Sequence, residues 1–346
     1  MRNSAKTMKK AVILNDTSYE YHHGCETVIA NIKKLLRQHQ IAVTATNPVN
    51  VDWRENPGLQ AKMAEADLIL VNGEGSLHHA RPRAARLIAV AEHARRNWRI
   101  PTILINTTCQ ENGPGLTDKM KFFTRIYVRE SFSQKELEKA SIPSRVVPDM
   151  SFYTRYDLGK KPATREKIGV TDSVSQEISE YLYELSRRRN YLYLPTLSDV
   201  KLRENGANLI PYIIYQAGKR LDYIRFRAGG RLKHKKIKRF FYLKNYREYI
   251  QTLAGLRFLI TGRFHALCFA LKTSTPFIAI PSNSFKMESL IHDIGLEKTR
   301  IQTTTGLETA VFTDFSRSEQ EKIRHYVASA PAKIEEMFKE IRDLIS

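Results

Sequence analysis

Residues 258–280, FLITGRFHALCFALKTSTPFIAI, read as strand, turn, helix and strand. Residues 258–261 are a mostly apolar run that stops at Gly262. Phe264, Leu267, Cys268 and Leu271 then recur at helical spacing, and Pro276 opens a second apolar run over residues 277–280. Arg263 and His265 therefore fall at a helix start, just beyond the carboxyl end of a strand, which is where open α/β sheets bind ligands. A helix start offers unpaired backbone N–H groups and the positive end of the macrodipole. The Gly262 turn, an Arg263 fork and the His265 imidazole together make a site for a carboxylate or phosphate, with a proton donor beside it. The plainer alternative is an Arg263 paired with a surface acid and a His265 packed as an ordinary helix residue.

The same alternation extends outward in both directions. Strands are expected at residues 11–14, 41–44, 67–71, 101–106, 125–128 and 145–147, with helices at 27–37, 59–66, 83–98, 116–123 and 131–139. Residues 157–165, DLGKKPATR, are polar and carry Gly and Pro, so the domain boundary is placed there. The pattern restarts with strands at 167–170 and 191–194 and helices at 178–187, 209–217 and 284–294. Residues 318–345 read as a pair of helices or one long interrupted helix. Strand and helix in alternation, with short connections, signify parallel sheets covered on both faces. The predicted architecture is two Rossmann-like, doubly wound α/β domains facing a cleft, residues 1–156 and 166–316. C-terminal helices over residues 317–346 pack across both.

Composition narrows the function classes. The chain has 346 residues, 42% of them hydrophobic, and a formal net charge of +20; its mean hydropathy is −0.41. No apolar run approaches the roughly 18–20 residues of a membrane span. The N-terminus lacks a signal-peptide pattern, so a cytoplasmic protein is expected. Cys25, Cys109 and Cys268 are far apart and odd in number, which suggests neither a disulfide framework nor a zinc site. The positive charge implies an acidic partner: nucleic acid, an anionic membrane or a phosphorylated substrate.

Several small motifs end strands on the presumed ligand side. His22-His23-Gly24-Cys25-Glu26 follows the first strand, and Asn72-Gly73-Glu74-Gly75-Ser76-Leu77-His78-His79 follows the third. Glycines there would let a backbone approach a ligand, with Gly75-Ser76 presenting N–H groups to an anion. This is neither a dinucleotide fingerprint nor a Walker loop. Paired histidines lack the i, i+4 spacing of a helical zinc site, so no metal is predicted. Cys25 reads as an ordinary helix-start thiol. Arg129 and Asp149 each end a strand; Arg129 would pair with Glu130 or an anion, and Asp149 would cap the next turn or orient the cleft.

Residues 219–244 are a basic run. Arg225, Arg227, Arg231, Lys233, Lys235, Lys236, Lys238, Arg239 and Lys244 are interleaved with Tyr223, Phe226, Phe240, Phe241 and Tyr242. Such a run suits a solvated face, nucleic acid or an anionic membrane interface. No RNA- or DNA-binding motif accompanies it, so the membrane surface, or a lipid-diphosphate substrate, is favoured over nucleic acid.

With these segments assembled, the chain resembles the polysaccharide pyruvyl transferase family. Thr261-Gly262-Arg263-Phe264-His265-Ala266-Leu267, with Pro276 beyond it, is similar to the family's Arg-x-His-Ala helix. Residues 282–286, from Ser282 to Lys286, resemble its stretch ending in a lysine. Tyr127-Val128-Arg129-Glu130-Ser131 resembles its strand-Arg-acid-x-x-Ser segment, and Val147-Pro148-Asp149 its Pro-Asp-Pro segment. Two loops depart from the family pattern: Gly24-Cys25-Glu26 stands in place of Gly-Asp, and Asn72-Gly73-Glu74-Gly75 in place of a triple glycine. The resemblance implies a GT-B-like fold with the acceptor on the N-terminal domain and the donor on the C-terminal domain. It implies transfer of a pyruvyl group from phosphoenolpyruvate to two hydroxyls of a sugar of a cell-surface polysaccharide or its lipid-linked precursor, forming a ketal. A GT-B glycosyltransferase using a nucleotide sugar is the alternative. On the first reading Arg129, Gly262, Arg263, Ser282 and Lys286 bind the donor and His265 is the general acid. Glu74, His78 or Asp149 is the base, and His22, His23, Asn72, Glu74, Ser76 and His78 meet the acceptor. No cofactor is needed, and the enzyme would work in the cytoplasm or at the inner face of the membrane.

Overall fold

The protein is described from a computed structural model, which places residues 8–156, 165–200, 209–230 and 232–346. Arg231 of the basic run lies outside these, as does the expected boundary segment save Arg165. The first sheet has six strands: β1 (Lys9–Asp16), β2 (Ile41–Pro48), β3 (Leu68–His78), β4 (Thr102–Gln110), β5 (Arg125–Val128) and β6 (Arg145–Val146). Their order is β2-β1-β3-β4-β5-β6, and every pairing is parallel. The second sheet contains β7 (Ile168–Ser173), β8 (Leu192–Tyr193), β9 (Phe258–Gly262) and β10 (Phe277–Ala279) in the order β10-β9-β7-β8, again parallel. Both sheets thus reverse direction beside their first strand, which defines a switch point between β1 and β3 and another between β7 and β9.

The strands follow from near-continuous apolar runs that covering helices bury on both faces; Ala11, Val12, Ile13 and Leu14 are wholly inaccessible. Helices form where apolar residues recur at helical spacing. In His23–Gln38 these are Val28, Ile29, Ile32, Leu35 and Leu36, all buried. That helix starts at His22, whose Nδ1 accepts from the Gly24 N–H at 3.1 Å. One hydrophobic core is continuous across both lobes. It joins Ile13 and Ile105 of the first sheet to Leu259 and Phe277 of the second, and Ile334, Phe338 and Ile341 of the last helix fill it from behind.

Two element expectations need correcting. The strand predicted to stop before Asn72 runs on to His78, because β4 extends alongside it and pairs with Glu74, Leu77 and His78. A register shift between Glu74 and Leu77 absorbs the glycines, and Glu74 takes a left-handed backbone with φ of 37°. Gly73 is required there, since a Cβ would come within 2.3 Å of the Thr107 side chain. The segment is therefore a bulged strand end rather than a loop of free N–H groups. The C-terminal segment is one helix, Arg317–Leu344, that passes through Pro331 unbroken. A capping box between Ser316 and Glu319 sets its start. It fastens the lobes together: Tyr127 and Arg145 donate to Glu340, Tyr153 donates to Glu335, and Arg300 of the second lobe forks onto Glu319.

Candidate active site

The switch point of the second sheet sets the first group. β7 and β9 approach so closely at their ends that a Cβ on Gly262 would lie 2.6 Å from that of Ser173. Thr261 Oγ1 accepts from the Arg263 N–H at 3.0 Å and turns the chain into the helix Phe264–Thr273, with Arg263 as its N-cap. Asp172, near the end of β7, is fully buried and accepts a bond from Arg263 Nη2. Its other donors are the N–H and hydroxyl of Thr196, each at 3.1 Å, and Lys238 Nζ at 3.3 Å. Burial alone would raise the Asp172 carboxyl, but Arg263 and Lys238 hold it well below the usual range. Arg263 Nε is buried and has no hydrogen-bond partner.

His265, the second residue of that helix, faces the first lobe. A Cβ on Gly24 would come within 2.1 Å of the His265 ring, so glycine is what lets the imidazole seat against the start of helix His23–Gln38. His265 Nε2 lies 3.8 Å from Asp149 Oδ2, beyond hydrogen-bond reach, and has no other partner. Asp149 accepts from Arg129 Nη1 at 3.1 Å and from the Ser151 N–H at 2.8 Å. Arg129 is itself held by Thr108, to which its Nε donates at 2.9 Å, and by the face of Phe264, 4.1 Å below its guanidinium. The result is a buried row of Arg129, Asp149 and His265. Burial lowers the His265 pKa below its ordinary value; Asp149 and Glu74 oppose that, while Arg129 and Lys286 add to it. For Asp149 burial pushes upward, but His265 and Arg129 outweigh it and the carboxyl is held low.

On the first-lobe side the residues expected at the acceptor divide. Glu74 is buried beside the row, accepting from Thr17 at 2.5 Å, Asn72 at 3.0 Å and the Cys25 thiol at 3.3 Å. His22 stands 5.6 Å from His265, ring centroid to ring centroid. Burial, then Arg263 and His265, lower its pKa far below the usual value, so it is a neutral imidazole. The ligand atoms of His22, Cys25 and His265 lie within 4.8 Å of one another, a donor set that the spacing of the paired histidines did not reveal. His23, Asn72 and Ser76 are placed differently from expectation. His23 is wholly buried and stacked on Tyr249. Asn72 is also wholly buried, with its amide spent on Asn15, Thr17 and Glu74. Ser76 Oγ accepts from Arg83 Nε and Nη2. These three brace the site because strand continuation and helix packing turn them into the protein.

Lys286 and His78, both buried, are linked through Asn283. Lys286 Nζ donates to Asn283 Oδ1 at 2.9 Å and to Ser284 Oγ at 3.2 Å, and Asn283 Nδ2 reaches His78 Nε2 at 3.4 Å. Burial, with Arg129 and Arg263 nearby, lowers Lys286 to about 7. Burial and nearby cations lower His78 to about 4. The Oγ of Ser282 and Nδ1 of His78 are buried without partners. Four candidate residues (Arg263, His265, Ser282 and His78) thus each carry an orphaned buried polar atom. An unsatisfied buried polar group costs about 1–3 kcal/mol, and a polar ligand in the crevice would offset that cost at these four positions.

Sequence reading passed over Asp172 and Thr196, and placed Lys238 only in the basic run. Asp172 follows the apolar run of β7 as Asp149 follows β6, so its position at a strand end was a usable signal. Its pairing with Arg263, 91 residues away, was not. A cavity of about 870 Å³ lies at the other end of helix Phe264–Thr273. It is lined by Arg155, Arg165, Arg257, Lys272 and Arg324 and by none of the residues above.

Comparison with solved structures gives the class of fold first. A UDP-GlcNAc 2-epimerase of Neisseria meningitidis bound to UDP-GlcNAc superposes with a TM-score of 0.53 at 9% identity, over 97% of this chain and 100% of that one. The Methanocaldococcus jannaschii UDP-GlcNAc 2-epimerase gives 0.52 at 11% identity, over 93% and 100%. A UDP-glucosyltransferase from Polygonum tinctorium gives 0.50 at 10% identity, over 97% and 98%. The fold is therefore GT-B-like. No curated protein sequence matches the chain. The polysaccharide pyruvyl transferase family matches residues 9–284, and the chain belongs to that family, a family of transferases.

Proposed function

We propose that the protein transfers the pyruvyl group of phosphoenolpyruvate to a sugar of a cell-surface polysaccharide, or of its lipid-linked precursor, as a cyclic ketal. The observation that carries this reading is that Arg129 and Lys286 gather about His265, with Arg263 beside Lys286, and that Arg263 Nε and His265 Nε2 are both buried and unpartnered. A small dianion carrying a carboxylate and a phosphate supplies acceptors for those groups. His265 protonates the methylene carbon, the double bond collapses onto it, and C2 becomes oxocarbenium-like. One acceptor hydroxyl adds to C2 and gives its proton back to His265. The second hydroxyl displaces phosphate from C2 and its proton leaves with the phosphate, so donor and diol become ketal and inorganic phosphate. Asp149, 3.8 Å away, favours the protonated form of His265 through its charge, and Asp172 fixes the Arg263 fork. Glu74 and His22 line the acceptor side. No step calls for a metal or cofactor.

The GT-B-like fold and its UDP-sugar neighbours favour nucleotide-sugar transfer as the second reading. Incubation with phosphoenolpyruvate, or with a panel of nucleotide sugars, in the presence of glycan acceptors separates the two. Phosphate release together with a new ketal methyl resonance in the NMR spectrum of the acceptor is expected. Consumption of a nucleotide sugar, with phosphoenolpyruvate untouched, would overturn the proposal.

A further inference from the structure

The helix Leu209–Arg227 differs from the other α-helices among the described residues, for it has no buried residue along 19 positions. Its outer face carries Ile210, Ile213, Ile214, Leu221 and Ile224, exposed by 70, 56, 67, 68 and 63%. With Ala217 they follow the i, i+3, i+4, i+7 spacing of one helical stripe. Arg220, Arg225 and Arg227 border the stripe and are exposed. The opposite face is fastened to the second lobe by other means. Lys219 pairs with Asp199 at 2.7 Å and lies over Tyr242, Lys236 reaches back to Asp222 at 2.9 Å, and Tyr223 and Phe226 pack on Phe240. The helix is therefore held with its isoleucines outward. A row of large aliphatic side chains facing water costs free energy unless something covers it.

We infer that this helix is a monotopic membrane anchor that lies flat in an anionic bilayer surface. Its aliphatic stripe inserts among the acyl chains while the bordering arginines meet lipid phosphates. Lys233, Lys235, Lys236 and Lys244 are exposed in the segments that follow and extend the cationic face. Charge complementarity thus selects an anionic surface, and among the described residues no helix is long and apolar enough to cross the bilayer instead. The anchor is mechanically continuous with the active site. The turn that holds Phe240 against the helix also carries Lys238, which bonds Asp172, the partner of Arg263. Docking would set the crevice at the lipid surface. On the pyruvyl-transfer reading, that is where a lipid-linked sugar presents its hydroxyls.

Vesicle co-sedimentation of the full chain tests this without donor or acceptor, so its outcome is independent of the catalytic assignment. Wild type is expected to pellet with phosphatidylcholine vesicles containing phosphatidylglycerol and not with phosphatidylcholine alone. Replacing Ile213, Ile214 and Leu221 together by Ser, with all charges intact, should lower the partition coefficient at least about tenfold. Arg220→Glu, Arg225→Glu and Arg227→Glu should each lower it about fivefold or more. All these positions are exposed, and circular dichroism confirms that the variants fold. Failure of wild type to bind anionic vesicles, or binding unaffected by the triple Ser change, would overturn the inference. So would a wild-type dimer in sedimentation that the triple change renders monomeric, since the stripe would then belong to a second copy.

Discussion

His265 sits where burial and charge pull its proton in opposite directions. Without a bound dianion, burial prevails and the ring is neutral at pH 7; Lys286, near 7, is only partly charged. A dianion beside them favours the charged form of both, so donor binding should draw protons from solvent. Calorimetry of phosphoenolpyruvate binding at pH 7.5, in buffers of different ionisation enthalpy, is expected to give net proton uptake; Lys286→Met should reduce it. The sign follows from both pKa values rising on binding, and the Lys286 share of the uptake should fade toward pH 5, where that amine already carries its proton. His265→Gln should cut turnover about 10²–10⁴-fold. Chemical denaturation of that variant should show stability changed by no more than about 1 kcal/mol, because Gln keeps a polar end of similar reach at a position whose Nε2 makes no hydrogen bond. A large loss of stability with turnover retained would mean that the ring serves the core. Sequence alone made Arg263, His265, Arg129 and Asp149 candidates, since each ends a strand or opens a helix, and the family resemblance added Lys286. It did not show that Asp172 grips Arg263 or that Cys25 meets Glu74, because those contacts depend on how distant strands register.

Among the elements, those with strong local patterns were legible. Arg125–Val128 and Ser131–Lys139 have the bounds that spacing and capping imply, and the helix Phe264–Thr273 starts at Phe264, the first residue of the helical spacing. The overrun of β3 was not legible. Glycines in Asn72–Ser76 signal a turn locally, but pairing with an equally long β4 overrides that signal. Nor could periodicity decide whether the last helix breaks. Pro331 forfeits one backbone bond, yet Ala330, Ile334, Phe338 and Ile341 bury one continuous face on both lobes, which outweighs it. Phe338→Ala should therefore lower the unfolding free energy by about 3–5 kcal/mol, measured by denaturant titration. A loss well under 1 kcal/mol would mean that the helix is only loosely docked.

At the scale of the whole molecule the lobes are closed on one another. Ser131 bonds Asp293 through both its N–H and its hydroxyl, the Phe132 N–H meets Ser289 at 3.1 Å, and the Phe285 N–H meets Gln110 at 2.9 Å. With His265 and Lys286 nearly inaccessible behind these contacts, a substrate reaches them only when the lobes part. Cys substituted at both Ser131 and Asp293 should, on oxidation, lock the crevice and suppress turnover, and reduction should restore it; the native cysteines are buried and should not interfere. Full activity in the oxidised state would rule out that motion. The core that runs without a break from β1 through β9 into the C-terminal helix has a further consequence. A chain folded around a single interior melts in one step, so calorimetry should record a lone endotherm, and either half expressed by itself would be left with a raw hydrophobic wall and come out of solution.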